Sequence, residues 1–313
     1  SIKYSLRRRG TCKAGGLGYD HLRVSESSYI LRLIIVIIFF ISHSFAIGLQ
    51  GLVIPQSGQI LSTAGAGIAG DIDPALNPAM MKADHPYMQF SLNNWLGDVN
   101  GSQTLFRWGN EIQKQVSIQS WSAKGLELWG DLPDERPLGS FGVHWASAAF
   151  SISHHFNTPY RFGLRIQSNY SRLFTESISG ITMDAGIVLP LGPSITAAAV
   201  IRNLGYEYTN NLRADLPIEG GLGLDIKLTK VKTSLLADLL YNLEHGEEMR
   251  FAIATNWKYL NLNAGRSISE NRNASSLGFS FNYRSWKINY GIYFHENSAV
   301  LGTPQFLDVR RYL

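Results

Sequence analysis

Residues 160–171 read YRFGLRIQSNYS, with apolar side chains mostly at even positions and polar ones at odd positions. Because successive side chains of a β-strand point to opposite faces, this segment predicts a strand with one face suited to lipid and the other to water. The same period of two recurs in residues 218–229, IEGGLGLDIKLT. Its repetition from Pro86 to Leu313 favours a closed membrane barrel, since closure leaves no unpaired strand edge in lipid.

The alternating pattern predicts an all-β fold, an antiparallel transmembrane β-barrel over residues 87–313. The predicted strands lie near residues 87–94, 102–109, 114–122, 140–147, 148–156, 160–171, 178–189, 194–203, 217–229, 231–242, 249–258, 259–268, 275–284, 286–295 and 304–312. Bacterial single-chain barrels have even strand numbers, so one segment of this set is in excess and we expect 14 strands.

The segment before the barrel has the features of an export signal. Arg32 precedes the apolar run Leu33–Ile41, and Ser44-Phe45-Ala46 places small residues at the positions that a signal peptidase reads. This run is shorter than the roughly 20 residues that a membrane-spanning helix needs. We therefore predict a signal peptide over residues 29–46, cleaved after Ala46, with an uncleaved helical anchor as the alternative. Residues 1–28 are interpreted as over-extended translation.

The net charge of +4 arises from the leading segment. Residues 1–46 contain seven of the 28 basic residues and two of the 24 acidic ones, which leaves 21 basic and 22 acidic residues in the remainder. The remainder is nearly neutral, so its charge gives no support for binding nucleic acid. The single cysteine, Cys12, lies in the same leading segment, and no thiolate site is predicted after it.

Residues 47–86 have a different composition from the barrel. They contain LSTAGAGIAG at 61–70, followed by DIDPALNPA at 71–79. Small residues allow close backbone approach, and prolines interrupt regular structure. We predict a compact hatch inside the barrel mouth, with a flexible leader as the alternative.

Two motifs resemble the PorV/PorQ family of outer-membrane proteins, which is related to FadL-type barrels. Residues 64–79 are similar to the family's Gly-Gly-Ala, Asp-Asp and Asn-Pro-Ala segment. Val200–Gly205 resembles a family strand that ends in an Asn-hydrophobic-Gly turn, and Leu216-Pro217 resembles the entry to the next strand. The matching residues are Gly65, Gly67, Asp71, Asp73, Asn77, Pro78 and Ala79 in the hatch, and Asn203 and Gly205 in the turn.

The resemblance implies a 14-stranded outer-membrane barrel with an amino-terminal hatch that acts in type IX protein secretion. Its implied partners are outer-membrane lipids, the type IX translocon barrel and secreted proteins with carboxy-terminal signal domains. No cofactor and no enzymatic activity are implied. The alternative function is FadL-like transport of hydrophobic small molecules across the outer membrane.

A secretion role requires an exposed surface that holds a protein domain. Residues 121–137 are rich in Trp, Leu and Pro and are the first candidate for a partner-binding loop. Its candidate contacts are Trp121, Trp129, Leu132 and Pro133, with Trp129 as the anchor. Packing of both tryptophans in an aromatic girdle at the membrane interface is the alternative.

Histidine and serine residues in segment 140–156 raise the question of metal binding or catalysis. His154 and His155 are adjacent and therefore point to opposite faces of a strand, which disfavours a shared metal. His144 is separated by odd offsets from Ser147 and Ser151, so a nucleophile and base pair would also be split across two faces. We predict neither a metal site nor an enzyme. Six charged residues are expected to face the lumen and to pair there: Arg161, Arg165, Asp225, Lys227, Asp238 and Arg250.

Overall fold

The computed structural model describes residues 50–82, 85–128, 137–155, 159–173, 176–209, 212–214, 216–270, 273–296 and 298–313. Within these ranges no helix has the length and apolar character needed to cross a bilayer. The predicted export signal and its cleavage site precede the described part of the chain and stay predictions.

The described chain is built almost entirely of strands. They are β1 Tyr87–Asn94, β2 Asn100–Trp108, β3 Ile112–Leu128, β4 Gly139–His155, β5 Arg161–Leu173, β6 Glu176–Pro190, β7 Ile195–Thr209, β8 Leu212–Ala214, β9 Glu219–Leu228, β10 Thr233–Asn242, β11 Gly246–Trp257, β12 Leu260–Ser269, β13 Asn273–Tyr283, β14 Trp286–His295 and β15 Gln305–Tyr312. Short helical turns occupy Gln50–Val53, Gly58–Leu61, Pro78–Met80, Leu96–Asp98, Thr229–Val231 and Ser298–Leu301.

Fourteen of these strands close into an antiparallel barrel. Each pairs with its neighbours along the chain, β7 pairs with β9, and β1 pairs with β15 to close the ring. The three-residue β8 pairs with the end of β7 and lies outside the ring order. The expected number of 14 strands is thus confirmed.

The excess strand in the predicted set comes from dividing residues 140–156 into two strands. The structure has one strand there, β4, and the prediction of separate strands at 140–147 and 148–156 is wrong. Residues 146–149 read ASAA and contain no Gly, Pro, Asn or Asp, the strongest turn residues, so the extended backbone continues through them.

The predicted inner and outer faces are confirmed. In β5, Arg161, Arg165 and Asn169 are buried toward the lumen, whereas Leu164 and Ile166 are 47% and 55% exposed on the outside. The other strands also carry exposed Phe, Leu, Ile, Met and Tyr side chains, so the outer face is a broad apolar band. An apolar band of this kind suits the hydrocarbon layer of a membrane.

The two ends of the barrel differ in their connections. At the end where β1 begins and β15 ends, successive strands are joined by two to five residues; we call it the short-turn end. At the opposite end, the long-loop end, connections reach ten residues between β3 and β4. In bacterial outer-membrane barrels the short turns face the periplasm and the longer loops face outward.

The predicted hatch lies inside the barrel. Residues 57–70 are buried throughout, and the helical turn Gly58–Leu61 contacts β13, β14 and β15. The turn Pro78–Met80 contacts β4, β5 and β6 on the opposite side of the lumen. The hatch therefore crosses the lumen from one wall to the other.

Candidate functional site

Glycines on the inner wall form the seat of the hatch. A Cβ atom on Gly163 would lie 2.2 Å from the backbone nitrogen of Ala79, and one on Gly265 would lie 2.3 Å from the carbonyl carbon of Thr63. At Gly291 it would lie 2.3 Å from the carbonyl oxygen of Gly58. Any side chain at these positions would push against hatch backbone, so the wall fits the hatch only where it has no side chain.

Two buried carboxylates clamp the hatch backbone. The Oδ2 atom of Asp238 accepts hydrogen bonds from the N–H groups of Gly67, at 2.6 Å, and Ile68, at 3.0 Å. The Oδ1 atom of Asp308 accepts one from the N–H of Gly58 at 3.0 Å. Hydrogen bonds to an ionised acceptor are about twice as strong as neutral ones, so these contacts hold the hatch firmly.

The predicted hatch residues shape the hatch itself. Asn77 is fully buried, accepts from the Ala79 N–H at 3.0 Å and donates to the Ile68 carbonyl at 3.1 Å. Asp73 accepts from the Ser57 hydroxyl and from the Ala75 N–H. These bonds organise the turns at both ends of the hatch.

The remaining hatch positions contact the wall or each other. The Gly65 carbonyl accepts from Arg250 at 3.3 Å, and the Gly67 N–H is held by Asp238. Pro78 and Ala79 lie on Gly163, whereas Asp71 forms an ion pair with Lys82 at 2.6 Å. None of these contacts requires a ligand, and together they hold the hatch in the lumen.

Above the hatch, at the long-loop end, lies a cavity of about 110 Å³ that we call the long-loop chamber. One side is apolar and comes from the hatch and two wall aromatics: Leu52, Val53, Ile54, Pro55, Ile60, Leu61, Ala64, Ala75, Leu76, Trp95 and Tyr293. The other side comes from strands that carry charged and amide side chains. The chamber is therefore apolar on one side and polar on the other.

An aromatic cluster supports the apolar side. Trp95 lies 5.9 Å from the rings of both Tyr293 and Phe306, and Trp121 lies 5.7 Å from Phe306. Trp121 and Trp145 face each other across β3 and β4. Within the described structure neither indole N–H has a hydrogen-bond partner, so both rings act here as apolar surface.

The polar side of the chamber is neutralised by ion pairs. Arg250 lies 2.8 Å from Glu248 and 3.8 Å from Glu219, which also pairs with Arg202. Arg165 and Asp184 are 4.0 Å apart. The three arginines are thus matched by three carboxylates. Of the six charged residues expected to pair in the lumen, Asp225 and Lys227 pair with each other, and Arg165 and Arg250 pair with other carboxylates. Asp238 instead binds the hatch backbone, and Arg161 contacts the Met80 sulfur.

The predicted turn at Asn203 and Gly205 is a β-bulge. β7 continues to Thr209, and Arg202 with Asn203 opposes the single residue Asp184 of β6, so the prediction that the strand ends here is wrong. Asn203 has a positive φ of 60°, and its N–H donates to Asp184 at 2.8 Å. A Cβ atom on Gly205 would lie 2.0 Å from the Ile181 carbonyl oxygen, so the close strand approach requires glycine.

The predicted partner-binding loop is only partly described. Trp121 lies in β3, points into the lumen and is 2% exposed, so its placement in an exposed loop is wrong. The strand continues beyond it to Leu128, because the bulge at Lys124 and Gly125 preserves pairing with β4. Trp129, Leu132 and Pro133 lie outside the described residues.

The histidines of β4 form no recognisable reactive site. His144 is exposed on the outer face, while Ser147 and Ser151 are buried on the inner face. In the described ranges no group of three or more His, Cys, Asp or Glu side chains is arranged to hold a metal ion.

The closed 14-stranded antiparallel barrel has the fold of solved outer-membrane channels. The fold is similar to the CymD monoaromatic hydrocarbon channel, with 10% identity over 82% of this chain and 97% of that one, at a TM-score of 0.60. It is also similar to the toluene transporter TodX of P. putida, with 10% identity over 82% and 98% of the two chains, at 0.59. A FadL homologue of Pseudomonas aeruginosa matches with 12% identity over 82% and 98%, at 0.55.

No protein-family model and no curated protein sequence matches this chain. The PorV/PorQ resemblance therefore rests on the sequence motifs alone.

Proposed function

We propose that this protein is an outer-membrane passage for small hydrophobic molecules. The observation that carries the proposal is the apolar side of the long-loop chamber, where Leu52, Ile54, Trp95 and Tyr293 offer nonpolar surface opposite the charged wall. The free energy of an apolar solute falls when it leaves water for such a surface, in proportion to the area that it buries. A general pore for polar solutes has no need of this surface.

The size of the chamber favours a compact solute. Its volume of about 110 Å³ is similar in scale to an apolar cavity of about 150 Å³ that binds benzene. A single aromatic ring is of the scale of this space, whereas a long acyl chain requires the hatch to move first.

The charge balance of the chamber favours a neutral solute. Arg165, Arg202 and Arg250 are each engaged by a carboxylate. A solute carboxylate entering the chamber would have to compete with these protein carboxylates, and a neutral solute would not.

The structural neighbours support the same class of solute. Two of them are named a monoaromatic hydrocarbon channel and a toluene transporter. This support is an analogy of fold, and fold by itself does not fix function. The chamber residues of this chain provide the independent part of the argument.

Filling the chamber is expected to abolish solute binding. In the variant Ala75→Trp, an indole enters the chamber from the hatch and occupies the space that the solute would use. The measurement is anomalous diffraction from crystals soaked with bromobenzene. We expect a bromine peak between the hatch and Trp95 in the wild-type protein and none in Ala75→Trp.

The matched control is Ala148→Trp, which makes the same change on the exposed outer face of β4. This variant should keep the bromine peak. The absence of a peak in the wild-type chamber, or its persistence in Ala75→Trp, would contradict the proposal.

A further inference from the structure

A second cavity, of about 280 Å³, lies at the short-turn end, and we call it the short-turn vestibule. Its lining includes the beginning of β1 at Tyr87 and the end of β15 at Tyr312. Asn256, Asn261 and Asn263 line the same cavity with amide groups that can donate hydrogen bonds. Like the long-loop chamber, this cavity has more polar than apolar surface.

Three buried cations line one wall of the vestibule: Arg107, Lys287 and Arg310. Lys287 and Arg310 are direct cross-strand neighbours on β14 and β15, and both face inward. Like charges placed directly opposite one another destabilise a sheet. This arrangement therefore has an electrostatic cost that an anion between the two side chains would remove.

The polar groups that contact these cations are mainly neutral. The guanidinium of Arg310 donates twice to the side-chain oxygen of Gln89, at 2.8 and 3.0 Å, and Arg107 donates twice to Gln115. The Lys287 ammonium lies 3.5 Å from the Gln59 side-chain oxygen. Throughout the described part of the chain, none of the three cations forms an ion pair with a carboxylate.

The aromatic ring between the two arginines adds to this pattern. The Cζ atom of Arg310 lies 4.1 Å from the centroid of the Tyr87 ring, and the Cζ atom of Arg107 lies 4.9 Å from it. The ring contact and the bonds from Nε and Nη2 to the glutamines fix the orientation of both guanidinium groups, and they leave the Nη1 group of each arginine as the donor for a ligand. The arginine forks are thus oriented before any ligand arrives.

Two carboxylates of the hatch, Asp71 and Asp73, also line the vestibule, and both contact groups of the hatch. Asp71 pairs with Lys82, and both oxygens of Asp73 accept hydrogen bonds within the hatch. Asp308, two residues from Arg310, accepts from the Gly58 N–H and from Asn289. The lining has four basic residues, Lys82, Arg107, Lys287 and Arg310, against the two acidic ones, Asp71 and Asp73. Buried charges are normally paired, so this excess of positive charge favours a bound anion.

We propose that the short-turn vestibule binds a small soluble oxyanion, of the phosphate or carboxylate class, between Arg107, Lys287 and Arg310. Oxyanions suit this site because arginine forks and ammonium groups donate to their oxygens with charge-assisted hydrogen bonds. The site does not depend on the proposed passage of hydrophobic molecules, which uses the opposite end of the lumen.

Equilibrium dialysis of the purified full-length protein against radiolabelled inorganic phosphate tests this site. We expect saturable binding of one phosphate per chain. Arg310→Gln and Lys287→Gln should each weaken the affinity by about tenfold or more, because each removes a charge-assisted contact. Arg310→Lys, which keeps the positive charge, should retain part of the affinity.

The matched control is Arg311→Gln, which makes the same change at the next residue of β15 on the exposed outer face. Its affinity should stay within about twofold of the wild-type value, since exposed charges are screened. Non-saturable binding to the wild-type protein would overturn the proposal, as would an equal loss in Arg311→Gln. Lys287→Gln serves as the deciding variant if Arg310→Gln does not fold.

Discussion

Replacing Asp238 by alanine is expected to convert the closed barrel into one that conducts ions. The Asp238 carboxylate accepts two hydrogen bonds from the hatch backbone, at Gly67 and Ile68. Hydrogen bonds to charged groups contribute about 1.5 to 3 kcal/mol each, so the loss of two should shift the equilibrium between docked and undocked hatch by about 100-fold or more. Single-channel recording in planar bilayers measures this as a rise in the fraction of time spent conducting.

The control for this variant is Asp225→Ala on the neighbouring strand β9. Asp225 is also a buried inward carboxylate, but the ion pair that it forms is with Lys227, at 3.9 Å. We expect Asp225→Ala to stay closed. Conductance in both variants would mean that any loss of luminal charge opens the barrel, and silence in Asp238→Ala would mean that the clamp is not what keeps the hatch docked.

Introducing valine at Gly265 is expected to displace the hatch from its seat while the barrel still forms. The new Cβ would lie 2.3 Å from the carbonyl carbon of Thr63 and 2.7 Å from the nitrogen of Ala64, so hatch backbone must move. Overpacking costs about 1 to 3 kcal/mol, which corresponds to a change of up to about 100-fold in hatch exposure.

Cysteine labelling measures this displacement. Ser62, which is 1% exposed in the hatch, is replaced by cysteine after Cys12 has been changed to serine. Maleimide should react slowly with this reporter in the parent protein and much faster when Gly265→Val is added. Gly220→Val is the control, because a Cβ there has no neighbour within 4 Å. Equal labelling rates in both valine variants would contradict the glycine seat.

The barrel could be predicted from the sequence because its signal is local. Alternation in residues 160–171 follows from the geometry of a single strand, and its inner and outer faces match those of β5. The division of β4 into two strands failed for the same local reason, since the small residues at 146–149 carry little hydrophobic contrast. Trp121 is two positions from Gln119 in β3, and Trp145 is two positions from Ser147 in β4, so each tryptophan lies on the same face of its strand as a polar luminal residue. This spacing was the sequence signal for their inward direction.

The site depends on long-range contacts that sequence patterns do not reveal. Asp238 binds Gly67 and Ile68, which lie 171 and 170 positions earlier in the sequence. Asp308 binds Gly58, which lies 250 positions earlier. The Lys287 and Arg310 pair becomes apparent only when the register of β14 and β15 is known. The family resemblance predicts a turn at Asn203 and Gly205, whereas the structure has a bulge there; the positive φ of Asn203 is compatible with both.

The proposed passage of small hydrophobic molecules across the outer membrane can be measured as uptake by cells. Cells that lack other hydrocarbon channels would be given radiolabelled toluene, with and without production of the wild-type protein. We predict uptake that requires the protein and is lost in Ala75→Trp but retained in Ala148→Trp. Uptake that is unchanged by the protein, together with its co-purification with secreted proteins that share a carboxy-terminal domain, would contradict the claim and favour a role in secretion.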